Sequence, residues 1–231
     1  MKRRHPLPLF GFAILLASIA TSLPPACGQD HPAAVFVEPA TPETKEILGA
    51  GEYAINRLAT TMVGELRTAL AKGGPEDAIG TCHLKALPMT GGRITGLPRI
   101  KAFKLTSLLL RSTANAPDAA DQLALDRVDR ALNAGDAPPK LLLQRIDAPG
   151  AAPAWRVYRP LGIATQCLVC HGDTAEQSPA LRAKLDALYP ADKATGYTPG
   201  AWRGLIRVTV DTAPPPPPAP KPAPSPVPRK K

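Results

Sequence analysis

Beyond its first two dozen residues, the 231-residue sequence has no apolar run long enough to cross a bilayer, and it carries no internal repeat. Cysteine and histidine are scarce, at four residues each. A second closely spaced cysteine pair, of the kind structural zinc sites usually show, is missing. No kinase or receptor module follows the central region, and no His/Arg pair has a recognisable catalytic spacing, so an enzyme has little footing here. Acidic residues are absent from both ends. Three of the 28 basic residues fall in 1–26 and four in 212–231, which leaves 21 basic against 19 acidic between them. Seven of the nine net positive charges therefore belong to the ends. A near-neutral core argues against a nucleic-acid partner.

The N-terminus has the three-part pattern of a secretory signal. Met1-Lys2-Arg3-Arg4-His5 is followed by an apolar run from Leu7 to Leu23 and a small residue at Ala26. Gly11, Ser18, Thr21 and Ser22 break the run, which disfavours an uncleaved anchor. The expectation is an exported, bacterial periplasmic protein with a signal peptide at 1–26. Cleavage after Ala26 would expose Cys27 as a candidate lipidation site for membrane-surface attachment, although Pro24-Pro25 stand where a lipoprotein signal has Leu and a small residue. Residues 27–40 are expected to be a flexible segment, 41–211 one domain, and 212–231 a disordered proline-rich tail. Lys221, Arg229, Lys230 and Lys231 give that tail a way to lie against cell wall or anionic lipid, though a solvated tail without a partner is an equal reading.

Within the domain, Ile47, Leu48, Ile55, Leu58, Met62, Leu66 and Leu70 recur at helical spacing. Thr41 suits the N-cap, Pro42 the first helical position and Gly73-Gly74 the stop, so a long amphipathic helix is expected. A short second helix should begin at Pro75-Glu76-Asp77 and carry Cys82 facing inward. Thr90 to Gly96 reads as a loop, Ile100 to Arg111 as a strand or short helix, and Pro117-Asp118 as the start of another helix. Leu141–Ile146 and Trp155–Tyr158 read as a hairpin, and Leu205–Val210 as a last alternating strand. Helices followed by antiparallel strands predict an α+β domain with a small sheet.

The most specific feature is Cys167-Leu168-Val169-Cys170-His171, which chance would place in a sequence of this composition about once in a thousand. Two thiols at this spacing can add across the two vinyl groups of one haem, and His171 then stands to ligate the iron from below. A redox disulfide would need the pair to open a helix in a βαβ pattern. A zinc site from Cys167, Cys170, Cys82 and a histidine has the ligand count but lacks the second pair. For the second axial position spacing leaves five candidates open: Cys82, His83, Met89, Met62 and His31. Met62 also suits the core stripe of the long helix, and Met89 suits cover for a haem edge.

The segment Tyr158-Arg159-Pro160-Leu161 leading into Cys167–Asp173, then Leu188–Tyr197 with its Asp192-Lys193-Ala194-Thr195-Gly196-Tyr197 run, and Arg203-Gly204, resembles a family of PAS-like single-haem c-type cytochrome domains. Upstream, Ala78-Ile79-Gly80-Thr81-Cys82 and Ala114-Asn115-Ala116-Pro117-Asp118 are similar to two further elements of that family. The resemblance spans Thr41 to Val210. It implies a PAS-like α+β fold, one covalent haem c on Cys167 and Cys170, and iron held by His171 and Cys82. Ser112-Thr113 replaces the family's Asn-Pro, and Ala86-Leu87-Pro88 departs from its Ala-Pro. Arg111, just before the first departure, is a candidate contact for a haem propionate, with a salt-bridging surface role as the alternative.

The functional expectation is a monohaem cytochrome of low potential, not an enzyme, serving electron transfer or redox response. The alternative is a periplasmic redox or gas sensor that signals to a partner protein; a haem peroxidase ranks third. The redox or signalling partner is not named by the sequence.

Overall fold

The computed structural model describes residues 33–82, 89–90, 93–94 and 96–212. The expected signal at 1–26, His31, His83 and the proline tail from 213 lie outside the described residues, as do the side chains of Cys82 and Met89.

The domain is α+β, built on a five-stranded antiparallel sheet in the order β1-β5-β6-β7-β4. Its strands are β1 (Ala33–Phe36), β4 (Ile100–Thr106), β5 (Leu142–Asp147), β6 (Ala154–Gly162) and β7 (Trp202–Val210). Two residues each form β2 (Met89–Thr90) and β3 (Arg93–Ile94), a small separate hairpin inside the stretch expected as loop. The helices are α1 (Pro42–Ala78), α2 (Ala119–Asn133), α3 (Leu168–His171) and α4 (Pro179–Leu188). Helix α4 was not among the expected elements, although Ser178 caps it and Pro179 opens it as Thr41-Pro42 do α1; its ten residues bury only Leu181 and Leu185. Strand β1 falls within the segment expected to be flexible. Ala33–Phe36 pairs with Gln144–Asp147 of β5, and Phe36 lies under the Arg127 guanidinium at 4.7 Å, so sheet pairing and ring burial hold it.

Helix α1 begins as its sequence requires. The Thr41 hydroxyl accepts from the Thr44 amide at 3.1 Å, and the Thr44 hydroxyl accepts from the Thr41 amide at 3.0 Å. The helix breaks at Gly74, whose φ of 73° is non-helical, and resumes through Pro75 into the 3-10 turn Ile79–Cys82. Its Ile47, Ala54, Ile55 and Leu58 pack on Val157, Ile206 and Val208. Alternation along the strands turns their neighbours Tyr158 and Leu205 to the opposite face, where Ala124, Leu125 and Val128 of α2 cover them. The sheet is thus sandwiched between α1 and α2.

The contact of α1 with β6 is close enough to exclude a side chain. A Cβ on Gly51 would fall 2.4 Å from Val157 Cγ2, whereas a Cβ on exposed Gly49 meets nothing within 4 Å. Gly49→Ala is expected to stabilise by about 0.5–1 kcal/mol through helix propensity. Gly51→Ala is expected to destabilise, because overpacking costs about 1–3 kcal/mol and exceeds that gain. Urea unfolding of both variants checks the pair; equal shifts of the same sign would contradict the packing.

At the start of α2, Asp118 accepts from the Asp121 amide at 2.8 Å and from Arg156 at 2.7 Å. Burial pushes the Asp118 carboxyl up, but the Arg156 hydrogen bond, the Asp121 amide and the charges of Arg156 and Arg207 outweigh it and hold the group at about 2, against 3.8 for an ordinary Asp. The folded value is depressed, so this stabilisation is complete above 3.8 and lost as pH falls through about 2. Asp118→Asn should flatten the acid limb of a stability–pH profile across that window; an unchanged limb would remove Asp118 from the account.

Candidate functional site

A cleft opens between α1, the ends of β4, β6 and β7, and the turn that carries the cysteine pair. Counting its open mouth, it encloses about 1200 Å³ of empty space, with mostly apolar walls. Met62, Val63 and Leu66 of α1 line one side; Cys167, Cys170, His171, Arg111 and Arg203 also border it. On the α1 stripe, Leu58 and Leu66 are buried, yet Met62 and Val63 between them are only half-buried, because they face the cleft rather than the sheet. Met62, a candidate ligand from spacing, is therefore a wall of the cleft.

The cysteine pair follows β6 through a 3-10 turn, Thr165–Cys167, into the single turn of α3. This brings both half-buried thiols and the buried imidazole onto one lining, with the cysteines free of any disulfide. Gly172 closes the turn by donating to the Leu168 carbonyl at 2.7 Å. A Cβ there would sit 2.6 Å from that oxygen, so only glycine lets the chain leave His171 this tightly. Burial pushes the Cys170 thiol pKa up, partly offset by the Arg111 charge. Among the described residues, no group of three or more His, Cys, Asp or Glu could hold a bare metal ion.

His171 Nδ1 lies 2.7 Å from the Ala194 carbonyl oxygen. A carbonyl only accepts, so Nδ1 carries the ring proton and Nε2 keeps its lone pair. Burial, then the Arg111 and Arg203 charges, push the imidazole pKa down to about 3 against the Ala194 hydrogen bond, which keeps the ring neutral. A neutral imidazole with its second nitrogen held by a backbone carbonyl is the form in which histidine binds metals.

The segment after α4 holds this arrangement from outside. Tyr197 and Gly196 donate their amides to the carbonyls of His171 and Gly172 at 2.9 and 2.8 Å. The Tyr197 ring stands edge-on to the imidazole with centroids 6.3 Å apart, and the Arg203 guanidinium lies over that ring at 5.5 Å. Arg203 itself donates to Ser107 Oγ at 2.6 Å and to the Leu109 carbonyl at 2.9 Å. Arg111 donates through Nε to Asp192 Oδ2 at 2.8 Å and through one terminal nitrogen to the carbonyls of Cys170 and Ala194. Its salt bridge is largely buried, with 13% of the Arg111 and 11% of the Asp192 side chain exposed. Cys82 ends the 3-10 turn after α1, a turn whose first residue, Ile79, lines the cleft.

A family model described as Tll0287-like matches residues 88–211, more than half of the sequence. The chain belongs to the Tll0287-like family. That is the family expected from the Cys167–Asp173 and Asp192–Tyr197 segments. The matched region of this Tll0287-like chain runs from before β2 to the end of β7, leaving α1 and Cys82 upstream of it. A solved structure described as the cyanobacterial heme-protein Tll0287 is 21% identical; the match covers 75% of this chain and 98% of that one at a TM-score of 0.45. No curated protein matches.

Asp192, Ala194, Tyr197 and Arg203 were visible in the sequence only as parts of a family-like run, with no role attached. The aspartate's Oδ1 accepts from the Ala194 amide two residues on, a local turn that Asp favours. Its other partner, Arg111, is 81 residues away, and no local pattern encodes that.

Proposed function

We propose that this chain is an exported monohaem c-type cytochrome of PAS-like fold that carries electrons or responds to redox state, not an enzyme. One haem c is held through Cys167 and Cys170, with His171 and Cys82 as its axial iron ligands. The observation that carries the reading is the single turn that sets two free thiols and a neutral, carbonyl-oriented imidazole on the wall of a mostly apolar cleft. Membership of the Tll0287-like family supports it, as does the heme-protein description of the solved relative.

Cys167, Cys170 and His171, all on the cleft wall, are of the types such a group needs. Each thiol S–H adds across one vinyl C=C, giving a thioether with no change of oxidation state. When bound, the haem supplies one-electron exchange between Fe(III) and Fe(II). The chain's own part is to present Nε2 of His171, to keep its Nδ1–H donating to the Ala194 carbonyl, and to exclude water with Met62, Val63 and Leu66. Arg111, which borders the cleft, remains the candidate propionate contact. An anionic Cys82 sulfur favours the ferric state and a low potential.

A sensing role in the periplasm, with a signalling or redox partner, is the second reading. It is favoured by the break at Gly74, which joins the Cys82-bearing turn to α1 and so links a ligand change to the helix that covers the sheet. The signal-like N-terminus supports export, and Cys27 or the basic tail offers membrane-surface or cell-wall association. Among the described residues no helix is long and apolar enough to cross a membrane.

Cys82→Ser tests the ligand assignment. It should raise the reduction potential by at least about 59 mV, a tenfold change in a one-electron equilibrium. It should also abolish the thiolate-type ferric paramagnetic resonance signal, while His83→Ala leaves both unchanged. The opposite ranking would move the ligand to His83.

A further inference from the structure

We propose that Arg111 and Asp192 form a clamp that fixes the Ala194 carbonyl on His171, making Arg111 a positioning residue for the axial imidazole rather than a plain countercharge. The inference rests on the haem reading and deepens it.

The Ala194 peptide is held on both sides. Asp192 Oδ1 accepts its amide at 2.8 Å, and its carbonyl accepts from Arg111 at 3.3 Å and from His171 Nδ1 at 2.7 Å. The same Arg111 nitrogen reaches the Cys170 carbonyl, one residue before His171, while Nε is tied to Asp192 Oδ2 at 2.8 Å. One guanidinium thus joins the turn that bears the ligand to the segment that orients it. Both carboxylate oxygens of Asp192 are spent on this arrangement. Only a planar fork with donors on different nitrogens can meet a carboxylate and two carbonyls together; a lysine ammonium brings the charge without the geometry. The backbone adds support, since Lys193 donates its amide to the Leu110 carbonyl, beside Arg111.

A fixed acceptor strengthens the Nδ1–H bond and raises the basicity of the other ring nitrogen, which favours the higher oxidation state of a bound metal. A nearby cation alone does the reverse, by favouring the reduced state. The two roles therefore separate in sign. Losing the clamp while keeping the charge should raise the potential, and losing a bare charge should lower it.

The experiment uses the holoprotein with Arg111→Lys and Arg111→Gln, reading haem per chain, reduction potential, and the solvent-exchange rate of the His171 Nδ1 proton by hyperfine-shifted NMR. Haem per chain reports on the cytochrome reading itself; potential and exchange report on the clamp. The clamp predicts that Arg111→Lys shifts the redox equilibrium about tenfold toward Fe(II), about 59 mV, and speeds exchange at least tenfold. Wild-type values in the lysine variant, with a lowered potential in the glutamine variant alone, would overturn it and leave Arg111 as a charge. In the unaltered protein the same proton should exchange at least tenfold more slowly than that of an exposed imidazole; exchange at the exposed rate would overturn the clamp without any variant.

Discussion

Changing Cys167 and Cys170 together to alanine is expected to cut the haem that survives denaturation to less than one-tenth of the wild-type amount. Both thiols are free and lie on the wall of the apolar cleft, on either side of exposed Val169, with no competing role in a disulfide. Their loss removes the only thioether-forming groups in the turn while leaving His171 and its Ala194 partner in place. The fold should survive. Cys170 packs only at the margin of the small Ile79–Leu181–Leu185 cluster, so its truncation costs at most about 1–2 kcal/mol. Haem-linked peroxidase staining of a denaturing gel, alongside near-ultraviolet circular dichroism of the apoprotein, separates loss of attachment from loss of structure. Retention of covalent haem in a folded double variant would place the attachment elsewhere.

Asp121→Ala is expected to cause the largest loss of stability of any single change considered, about 3–5 kcal/mol, the cost of breaking a buried ion pair from one side. The Asp121 side chain is 0% exposed and sits on the α2 side of the sheet. Lys104 of β4 approaches it at 3.0 Å, Arg156 of β6 at 3.0 Å and Arg207 of β7 at 3.3 Å. The Tyr158 hydroxyl lies 3.2 Å from the same carboxylate and 2.8 Å from Gln144 Oε1. Three cations already face two carboxylates, Asp118 and Asp121, and the buried Arg207 Nε has no hydrogen-bond partner. Removing Asp121 leaves the three facing one half-exposed acid. It also removes half of the α2 capping box, worth about 1 kcal/mol. Urea unfolding at neutral pH measures the effect. Asp121→Asn, which keeps the shape but not the charge, should fall between wild type and alanine; an alanine variant within 1 kcal/mol of wild type would contradict the network.

The contrast between these two sites shows what a sequence makes legible. Thr41-Pro42 and Pro117-Asp118 announce helix starts because capping is settled within three residues, and the structure has α1 and α2 where those signals stand. The hairpin β5–β6 follows from strand formers on either side of Asp147-Ala148-Pro149-Gly150, and the strand β7 from alternation, for the same local reason. Asp121 carried no such sign. An aspartate at the third position of a helix reads as an ordinary exposed first-turn acid, and only the meeting of three strands beneath it turns it into a buried hub. Strand β1 was hidden because its register is set by β5, more than 100 residues later.

The site divides in the same way. Cys167, Cys170 and His171 are contiguous, so their chemistry shows in five letters. Arg111 was visible as a cation near a family-like element, but its engagement with Asp192, Cys170 and Ala194 depends on β4 running beside β7 and on the loop after α4 folding back over α3. The orienting acceptor for His171 is a backbone carbonyl, and no side-chain identity can reveal it.

The most direct measurement is the intact mass of the purified chain after co-expression with a cytochrome c maturation system, beside a reference cytochrome matured in the same cells. The account predicts a species heavier than the polypeptide by one haem, and a mass equal to the polypeptide alone, with the reference fully loaded, would contradict it.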